Sequence, residues 1–418
     1  MTTVTPSSVA PHAPERPAYR DGNVLRWLGA YTASMVGDNV YFLSLSWTAV
    51  QSGTPAEAGL VTAVSAVPRT LLLLGGGVIA DRFGPRRVVI GSDAVRCAAV
   101  LAVAAVLVAA RPGLWLLGAL ALVFGTVDAV FMPAVGALPA RITTHSQLAR
   151  VQGLRGMATR FANVAGAPLG GLGIALGGAA GAFALAGLLI AVSVPLLASL
   201  RVRDAAPDDA PGAGRATARR QLRDGLRYIR GHRVLAPLMV VIALGDLGFV
   251  GPLNVGLTLL ADERGWGASG VGWVLAGFGS GAAAAALVLA VRGGVPHAGR
   301  VMAAGVLAGS VAIGALAHAP GLPAAVGIAL LVGLLTGFSG GLCGALLQTR
   351  SDPAYLGRVS AVASLVSLGV APLSMPLSAA AIGAWGTGPV FLVSAAVCGL
   401  GGVVLLCFRD LRRAELPR

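Results

Sequence analysis

Residues 36–42 read VGDNVYF and residues 244–250 read LGDLGFV, with an aspartate at the third position of each segment. A second pair, LARVQGL at 148–154 and LGRVSAV at 356–362, has the same spacing of 208 residues. This spacing is close to half of the 418-residue chain. Two matches at one spacing indicate an internal repeat. The chain is therefore expected to consist of two similar halves.

The composition indicates that both halves lie in a membrane. Hydrophobic residues make up 56% of the chain and charged residues 11%, and the mean hydropathy is +0.80. A soluble globular protein carries about 25% charged residues. The 60 glycines also suit the close packing of helices in lipid. These values predict a polytopic membrane protein.

Twelve segments have the character of a spanning helix, which needs about 20 mostly apolar residues. The sequence predicts an all-α integral membrane protein, with twelve transmembrane helices in two pseudo-symmetric six-helix bundles. The predicted spans are 24–50, 56–80, 87–109, 114–139, 151–176, 180–200, 234–261, 268–291, 300–318, 322–347, 358–383 and 387–408.

The arginines of the predicted loops are unequally distributed. Loops on one side hold only Arg111 and Arg264, whereas the loops and termini on the other side hold many. Because loops rich in positive charge stay on the cytoplasmic side, both termini are predicted to be cytoplasmic. The expected location is the plasma (inner) membrane, crossed several times.

The predicted domain organisation follows from the spans. Residues 1–23 are polar and proline-rich and are expected to form a disordered cytoplasmic tail. The two six-helix bundles are predicted at 24–200 and 234–408, and a second cytoplasmic tail at 409–418. The linker at 201–233 ends in a basic amphipathic segment, which predicts a short helix lying on the inner leaflet.

Other classes of protein find little support. The net charge of +14 comes from arginines in short loops, which does not indicate a nucleic-acid-binding face. The sequence has no HExxH or GxxxxGK[ST] motif, so we expect neither a metal, a cofactor nor an enzyme. A membrane receptor or membrane-embedded enzyme remains a remote alternative. The protein is expected to act as a monomer.

The loop between predicted spans 2 and 3 reads GGGVIADRFGPRR at 75–87. It resembles the signature GxxxDRxGRR of the major facilitator superfamily, with Pro85 as an insertion before the arginine pair. In that family the cluster is a cytoplasmic latch between the halves. Asp93 and Arg96 lie at the start of predicted span 3, near the cytoplasmic side, and are assigned to the same latch for that reason. The matching residues are Gly77, Asp81, Arg82, Gly84, Arg86 and Arg87.

Longer stretches are similar to the drug:proton antiporter-3 group of this superfamily, which includes macrolide, tetracycline and siderophore exporters. They include VPRTLLLLGGGVIADRFGPRRVVIGSDAVR, QLRDGLRYIRGHRVLAPL and LLQTRSDPAYLGRVSAV. In predicted span 5, NVAGAPLGG resembles the antiporter motif GPxxGG of exporters, with its proline one place late. The residues concerned are Gly166, Pro168, Gly170 and Gly171.

Four ionisable residues fall near the middle of predicted spans: Asp38, Arg69, Asp128 and Asp246. A charge inside a membrane helix is costly and indicates a functional site with a partner. Arg69 is the expected partner of Asp38 or Asp128, either as part of a proton-coupling site or as a static ion pair. Asp246 has no basic neighbour in its own half and is the clearer candidate for a proton site.

The resemblance and these charges together predict a secondary active transporter. We expect proton-coupled efflux of small amphipathic molecules by alternating access, with a small-molecule substrate, protons and the lipid bilayer as partners. Carboxylates in the cavity do not fix the direction of transport. An importer or facilitator of a small metabolite on the same fold therefore remains the alternative.

Overall fold

The computed structural model describes residues 18–110, 113–144, 147–202, 215–292, 295–352 and 355–415, and every regular element in these ranges is helical. Residues 1–17 of the predicted tail and 203–214 of the predicted linker lie outside them. A 3-10 turn precedes the first helix and a π-helical turn (Pro252–Gly256) joins α8 to α9. The helices are α1 (Gly22–Ser52), α2 (Pro55–Val64), α3 (Ala66–Phe83), α4 (Pro85–Ala109), α5 (Leu114–Ile142), α6 (Leu148–Ala198), α7 (Arg215–Gly231), α8 (Leu235–Gly251), α9 (Leu257–Glu263), α10 (Gly267–Arg292), α11 (Ala298–Leu316), α12 (Leu322–Arg350), α13 (Leu356–Trp385), α14 (Thr387–Cys407) and α15 (Arg409–Arg412).

Local sequence signals set the start of several helices. Thr54 and Glu57 form a capping box at α2, in which each side chain accepts a hydrogen bond from the other residue's backbone N–H. Pro55 occupies the first position of this helix, where a missing N–H loses nothing. At α4, Pro85 follows Gly84, whose φ of 83° lies in the region that favours glycine.

Nine of the described helices are long and apolar enough to cross a membrane, when α8, the π-helical turn and α9 are counted as one continuous helix (Leu235–Glu263). One of them, α6, contains two spans because the chain reverses at Gly178, where φ is 62°. A Cβ atom at Gly173 would lie 3.0 Å from the Cα atom of Ala182. An unbroken helix would separate these two positions by about 13 Å.

The first two predicted spans do not meet the same criterion. α1 has 31 residues but carries Asp38, Asn39 and several hydroxyl side chains, which lower its hydropathy. Predicted span 2 is divided at Ser65 into α2 and α3. The all-helical membrane class is therefore confirmed, whereas the number of twelve spans stays a prediction.

The helix boundaries repeat with the spacing found in the sequence. α5 begins at Leu114 and ends at Ile142, and α12 begins at Leu322 and ends at Arg350, so both ends are 208 residues apart. α6 and α13 likewise begin 208 residues apart. The repeat thus extends well beyond the two short segments that first indicated it.

Equivalent glycines allow equivalent helices to approach closely. A Cβ atom at Gly125 of α5 would lie 1.8 Å from the backbone oxygen of Ser65, between α2 and α3. At the equivalent position in α12, a Cβ atom on Gly333 would lie 1.9 Å from the backbone oxygen of Phe278 in α10. Only a residue without a side chain fits either position.

Replacing Gly125 or Gly333 with valine is therefore expected to lower the free energy of unfolding by about 1–3 kcal/mol, since each variant overpacks a backbone contact. The thermal unfolding temperature of the detergent-solubilised protein measures the effect. Gly118→Val in α5 is the matched control, because a Cβ atom there has no neighbour within 4 Å. Equal losses in Gly125→Val and Gly118→Val would contradict the packing argument.

The hydrophobic core shows how the halves meet. At the end of the molecule that carries the described parts of the termini, one buried cluster around Trp27 belongs to the first half only, and another around Leu235 belongs to the second half only. At the opposite end two clusters contain residues of both halves, one including Val50 and Val390 and the other including Leu43 and Leu257. The halves are thus closed at the end away from the termini.

Contacts between the halves at this closed end follow the repeat. Ser46 of α1 donates a hydrogen bond to the backbone oxygen of Asn254, the residue 208 positions later. A residue near a two-fold axis contacts its own equivalent in this way. Ser46 Oγ also lies 3.0 Å from Thr258 Oγ1, and Gln51 Nε2 donates to Asp262 Oδ1 at 2.5 Å.

Candidate functional site

The side chain of Arg96 lies at the centre of a buried charged cluster in the first half. Its NH1 atom is 2.8 Å from Asp38 Oδ2 and 3.3 Å from Asp128 Oδ1. Its NH2 atom forms an ion pair with Asp93 and donates to Ser34 Oγ at 3.1 Å. The guanidinium carbon lies 3.9 Å from the ring centre of Phe131, a cation–π contact.

Four helical segments bring these residues together by helical spacing. Ser34 and Asp38 are one turn apart on α1, Asp93 and Arg96 one turn apart on α4, and Asp128 and Phe131 one turn apart on α5. The fourth segment is the part of α6 after its reversal, which contributes Ser193. The sequence analysis did not identify the two serines, although Ser34 stands one turn before Asp38 on the same face of α1.

The carboxylates have two kinds of surroundings. Asp93 is 1% exposed and accepts hydrogen bonds from Ser34 and Ser193 in addition to its bond with Arg96. The side chains of Asp38 and Asp128 are 12% and 14% exposed and share the NH1 group of Arg96. Asp93 is thus fixed by two hydroxyl groups, whereas Asp38 and Asp128 compete for one side of the guanidinium group.

The charges of this cluster do not balance when all groups are ionised. Three carboxylates surround one guanidinium group, and Arg69 adds an electrostatic interaction with Asp128. Excess negative charge in a poorly solvated site is costly, and a proton on one carboxyl group removes it. The cluster therefore has the chemistry to hold and release a proton.

The structure corrects two predictions about these residues. Arg96, which its position near the start of predicted span 3 assigned to the cytoplasmic latch with Asp93, is fully buried and is the ion-pair partner of both Asp38 and Asp128. Arg69, the expected partner, forms no ion pair within the described residues, and its Nε atom is buried without a hydrogen-bond acceptor. Arg96 forms the ion pairs because it lies on the buried face of α4, next to Asp93.

The remaining latch residues lie at the α3–α4 turn. Arg86 donates hydrogen bonds to the backbone oxygens of Leu197 and Ala198, at the end of α6, so its described contacts are within the first half. The guanidinium group of Arg82 lies 5.7 Å from the ring of Phe83. Arg87 is exposed. For Gly77 and Asp81 the structure describes only the helical backbone.

The antiporter-motif glycines in α6 lie at a junction of three helices. A Cβ atom on Gly166 would lie 2.4 Å from Asn39 Cβ in α1, and one on Gly170 would lie 2.9 Å from Leu43 in the same helix. A Cβ atom on Gly171 would instead lie 2.8 Å from the backbone oxygen of Ala268, at the start of α10 in the other half. Pro168 is inside α6, between these contacts.

Asp246 lies in the second half, apart from the Arg96 cluster. It lines a cavity of about 380 Å³ between α8, α10, α11, α12 and α14. Ser367 hydrogen-bonds its carboxyl group, while Oδ2 is buried without a hydrogen-bond partner. Within the part of the chain that the structure describes, no cationic side chain forms an ion pair with Asp246.

Two repeated helical halves that meet at one end and carry buried ionisable groups define a membrane transporter rather than an enzyme. The sequence model described as Major Facilitator Superfamily matches residues 27–371. The chain therefore belongs to this superfamily of transporters.

Relatives and solved structures agree with this assignment. The chain is 28% identical to the multidrug efflux pump Tap of Mycobacterium tuberculosis over 409 residues, which cover 93% of this chain and 94% of that protein. The nucleoside transporter NupG superposes with a TM-score of 0.70 at 14% identity, covering 94% of this chain and 99% of that one. An inward-facing, occupied bacterial homologue of the human lysosomal transporter Spinster gives 0.68 at 14% identity, covering 95% and 97%.

Proposed function

We propose that the protein exports small amphipathic molecules across the plasma membrane in exchange for protons. The observation that carries this proposal is the Arg96 cluster, in which three carboxylates share one buried guanidinium group in the first half. The similarity to a multidrug efflux pump over nearly the whole chain supports export of this class of substrate. Resistance of the cell to antibiotics would be one consequence of such export.

The proposed coupling step is an exchange of partners at Arg96. With Asp93 held by two serines, the proton passes to and from Asp38 or Asp128, the two carboxyl groups that are partly exposed. Protonation of Asp38 leaves the NH1 group of Arg96 to Asp128, and protonation of Asp128 leaves it to Asp38. Each exchange changes a contact between α1, α4 and α5, which links proton binding to helix packing.

The substrate crosses the membrane by alternating access, in which the two bundles move relative to each other. In this proposal the bundles 24–200 and 234–408 rock about the substrate site, and the 201–233 linker and both termini lie in the cytoplasm. The structure, closed at the end away from the termini, then corresponds to a state open to the cytoplasm. One proton moving down 100 mV supplies about 2.3 kcal/mol. At about 1.4 kcal/mol per tenfold, this supports a concentration ratio of roughly forty.

The proposal predicts that Asp38→Asn abolishes efflux driven by a pH gradient, because the amide cannot exchange a proton beside Arg96. Asp246, which forms no ion pair within the described residues, is proposed as a second proton site, so Asp246→Asn is expected to abolish this efflux as well. The measurement is the entry of a fluorescent amphipathic dye into inverted membrane vesicles, which corresponds to export from the cell, with the gradient imposed or collapsed. Asp410→Asn is the matched control, since Asp410 is an exposed residue near Arg233 at the surface. Undiminished gradient-driven efflux in both variants would refute the coupling role.

The same vesicles decide between export and import. Exchange predicts that dye enters inverted vesicles when their lumen is acidified and leaves when the gradient is reversed. An importer that moves substrate together with protons gives dye movement in the opposite direction under each gradient. With a facilitator, neither gradient drives dye movement.

A further inference from the structure

The cavity beside Asp246 occupies the position that the charged cluster occupies in the first half. The 208-residue spacing relates Asp38 to Asp246 on the first helix of each half. The same spacing relates Asp128 and Phe131 of α5 to Thr336 and Ser339 of α12, and both of these residues line the cavity. Because both ends of α5 and α12 have this spacing, the correspondence needs no gap.

The counterpart of Arg96 is identified by its contact. Arg96 of α4 faces Phe131, with the guanidinium carbon 3.9 Å from the ring centre. On α11, a Cβ atom at Gly305 would lie 2.5 Å from Ser339 Oγ, so Gly305 faces Ser339 in the same way. The large pair of the first half, an arginine and a phenylalanine, thus corresponds to a glycine and a serine in the second half.

This exchange of large for small side chains leaves polar atoms of the cavity wall without a partner. Asp246 Oδ2 and Ser339 Oγ are each buried without a hydrogen-bond partner, and both residues line the cavity. In the first half the aspartate equivalent to Asp246 receives hydrogen bonds from Arg96. The second half has the equivalent acceptor, Asp246, but has Gly305 where the first half has Arg96.

The rest of the cavity wall is apolar and aromatic. Phe249 and Phe278 both line it, with ring centres 5.5 Å apart and planes inclined by 42°. Aromatic faces attract cations, and a buried carboxylate strengthens that preference. A volume of about 380 Å³ lies near the lower end of the roughly 300–1,000 Å³ range of ligand pockets, so a small ligand or one end of a larger one fits.

We propose that this cavity binds an organic cation whose N–H groups, guanidinium or ammonium, donate to Asp246 and Ser339. The bound cation takes the place that Arg96 takes in the first half, and an attached ring packs against Phe249 and Phe278. The proposal names the substrate class of the transporter and in that respect rests on the proposed function. It also explains why only one half has its own arginine: the other receives its cation from the substrate.

The test uses benzylguanidinium and its neutral analogue benzylurea, which have nearly the same shape and differ in charge. Cys343 lines the cavity and is half-buried, so its rate of alkylation by N-ethylmaleimide reports occupancy. Cys97, half-buried in the first half and away from the cavity, is the internal control. Peptide-resolved mass spectrometry of the purified, full-length protein follows both thiols, without any proton gradient.

Benzylguanidinium at ten times its dissociation constant is expected to slow alkylation of Cys343 about tenfold and to leave Cys97 unchanged, because occupancy follows simple mass action. Benzylurea gives no protection at that concentration. Asp246→Asn removes the protection by the cation. Gly340→Leu also removes it, since a side chain on Gly340 projects into open space at the cavity wall.

Gly327→Leu is the matched control for Gly340→Leu, because Gly327 lies on the same helix with open space around it but does not line the cavity. Equal protection by benzylguanidinium and benzylurea, protection that survives Asp246→Asn, or no protection in the unmodified protein would each overturn the proposal. Intact protection without gradient-driven efflux would refute the proton coupling and leave the pocket standing. Coupled efflux without protection would refute the pocket alone.

Discussion

Replacing Arg96 with glutamine is expected to abolish transport and to destabilise the protein by about 3–5 kcal/mol, the range seen when one partner of a buried ion pair is removed. The loss is large because Arg96 forms ion pairs with Asp38, Asp93 and Asp128 at once and is fully buried. The thermal unfolding temperature of the purified protein and dye efflux from vesicles measure the two effects.

Arg69→Gln is the matched control for this variant. Arg69 interacts electrostatically with Asp128 but forms no ion pair in the described structure, so its removal is expected to cost much less stability. Acidification provides a second check, since protons can neutralise carboxylates that have lost their arginine. The difference in unfolding temperature between the Arg96→Gln variant and the unmodified protein should therefore shrink as the pH falls. Similar destabilisation by Arg69→Gln and Arg96→Gln would contradict the central position of Arg96.

The repeat and the membrane class could be predicted because both follow directly from the spacing and the hydropathy of residues along the sequence. A spacing of 208 residues relates the aspartates of predicted spans 1 and 7, and the same spacing recurs in the helix ends of α5 and α12. Apolar runs of about 20 residues predict spanning helices from length alone. These properties depend on local sequence and on solvent, and no knowledge of packing between helices is required.

The partner of Asp38 could not be predicted in this way. Arg69 and Arg96 are each about 30 to 60 residues from Asp38, and the choice depends on which face of each helix turns toward α1. A signal was present: Val89, Asp93, Arg96 and Val100 follow one another at helical spacing, and all are buried. Asp93 and Arg96 were instead assigned to the latch, because they follow the arginines of the α3–α4 turn closely in sequence. Closeness in sequence does not give the depth of a side chain in the membrane.

The cavity beside Asp246 could be interpreted only with the sequence repeat and the structure together. The sequence alone shows an aspartate without a cation, and the structure alone shows a cavity with two unpaired polar atoms. Superposing the halves through the repeat connects them, since Gly305 and Ser339 replace Arg96 and Phe131. The two halves thus differ at the residue that supplies a positive charge, which is Arg96 in the first half and Gly305 in the second.

A disulfide across the closed end is expected to stop transport completely and reversibly. Ser46 Oγ and Thr258 Oγ1 are 3.0 Å apart and belong to different halves, so cysteines at these positions lie within reach of a disulfide, whose Cβ atoms are about 3.5–4.5 Å apart. In the Ser46→Cys, Thr258→Cys variant, with the four native cysteines replaced by alanine, oxidation should reduce dye efflux to the level of vesicles without the protein. A reducing agent should restore it.

The physical reason is that these contacts must break if the halves alternate between two openings. The structure is closed at this end, where two hydrophobic clusters and the Ser46 hydrogen bonds join the halves. Ser46→Cys and Thr258→Cys alone, treated with the same oxidant, control for damage and for the loss of the hydroxyl groups. Full efflux from the cross-linked protein would mean that substrate passes without separation of this end, which would exclude alternating access of the two halves as the transport mechanism.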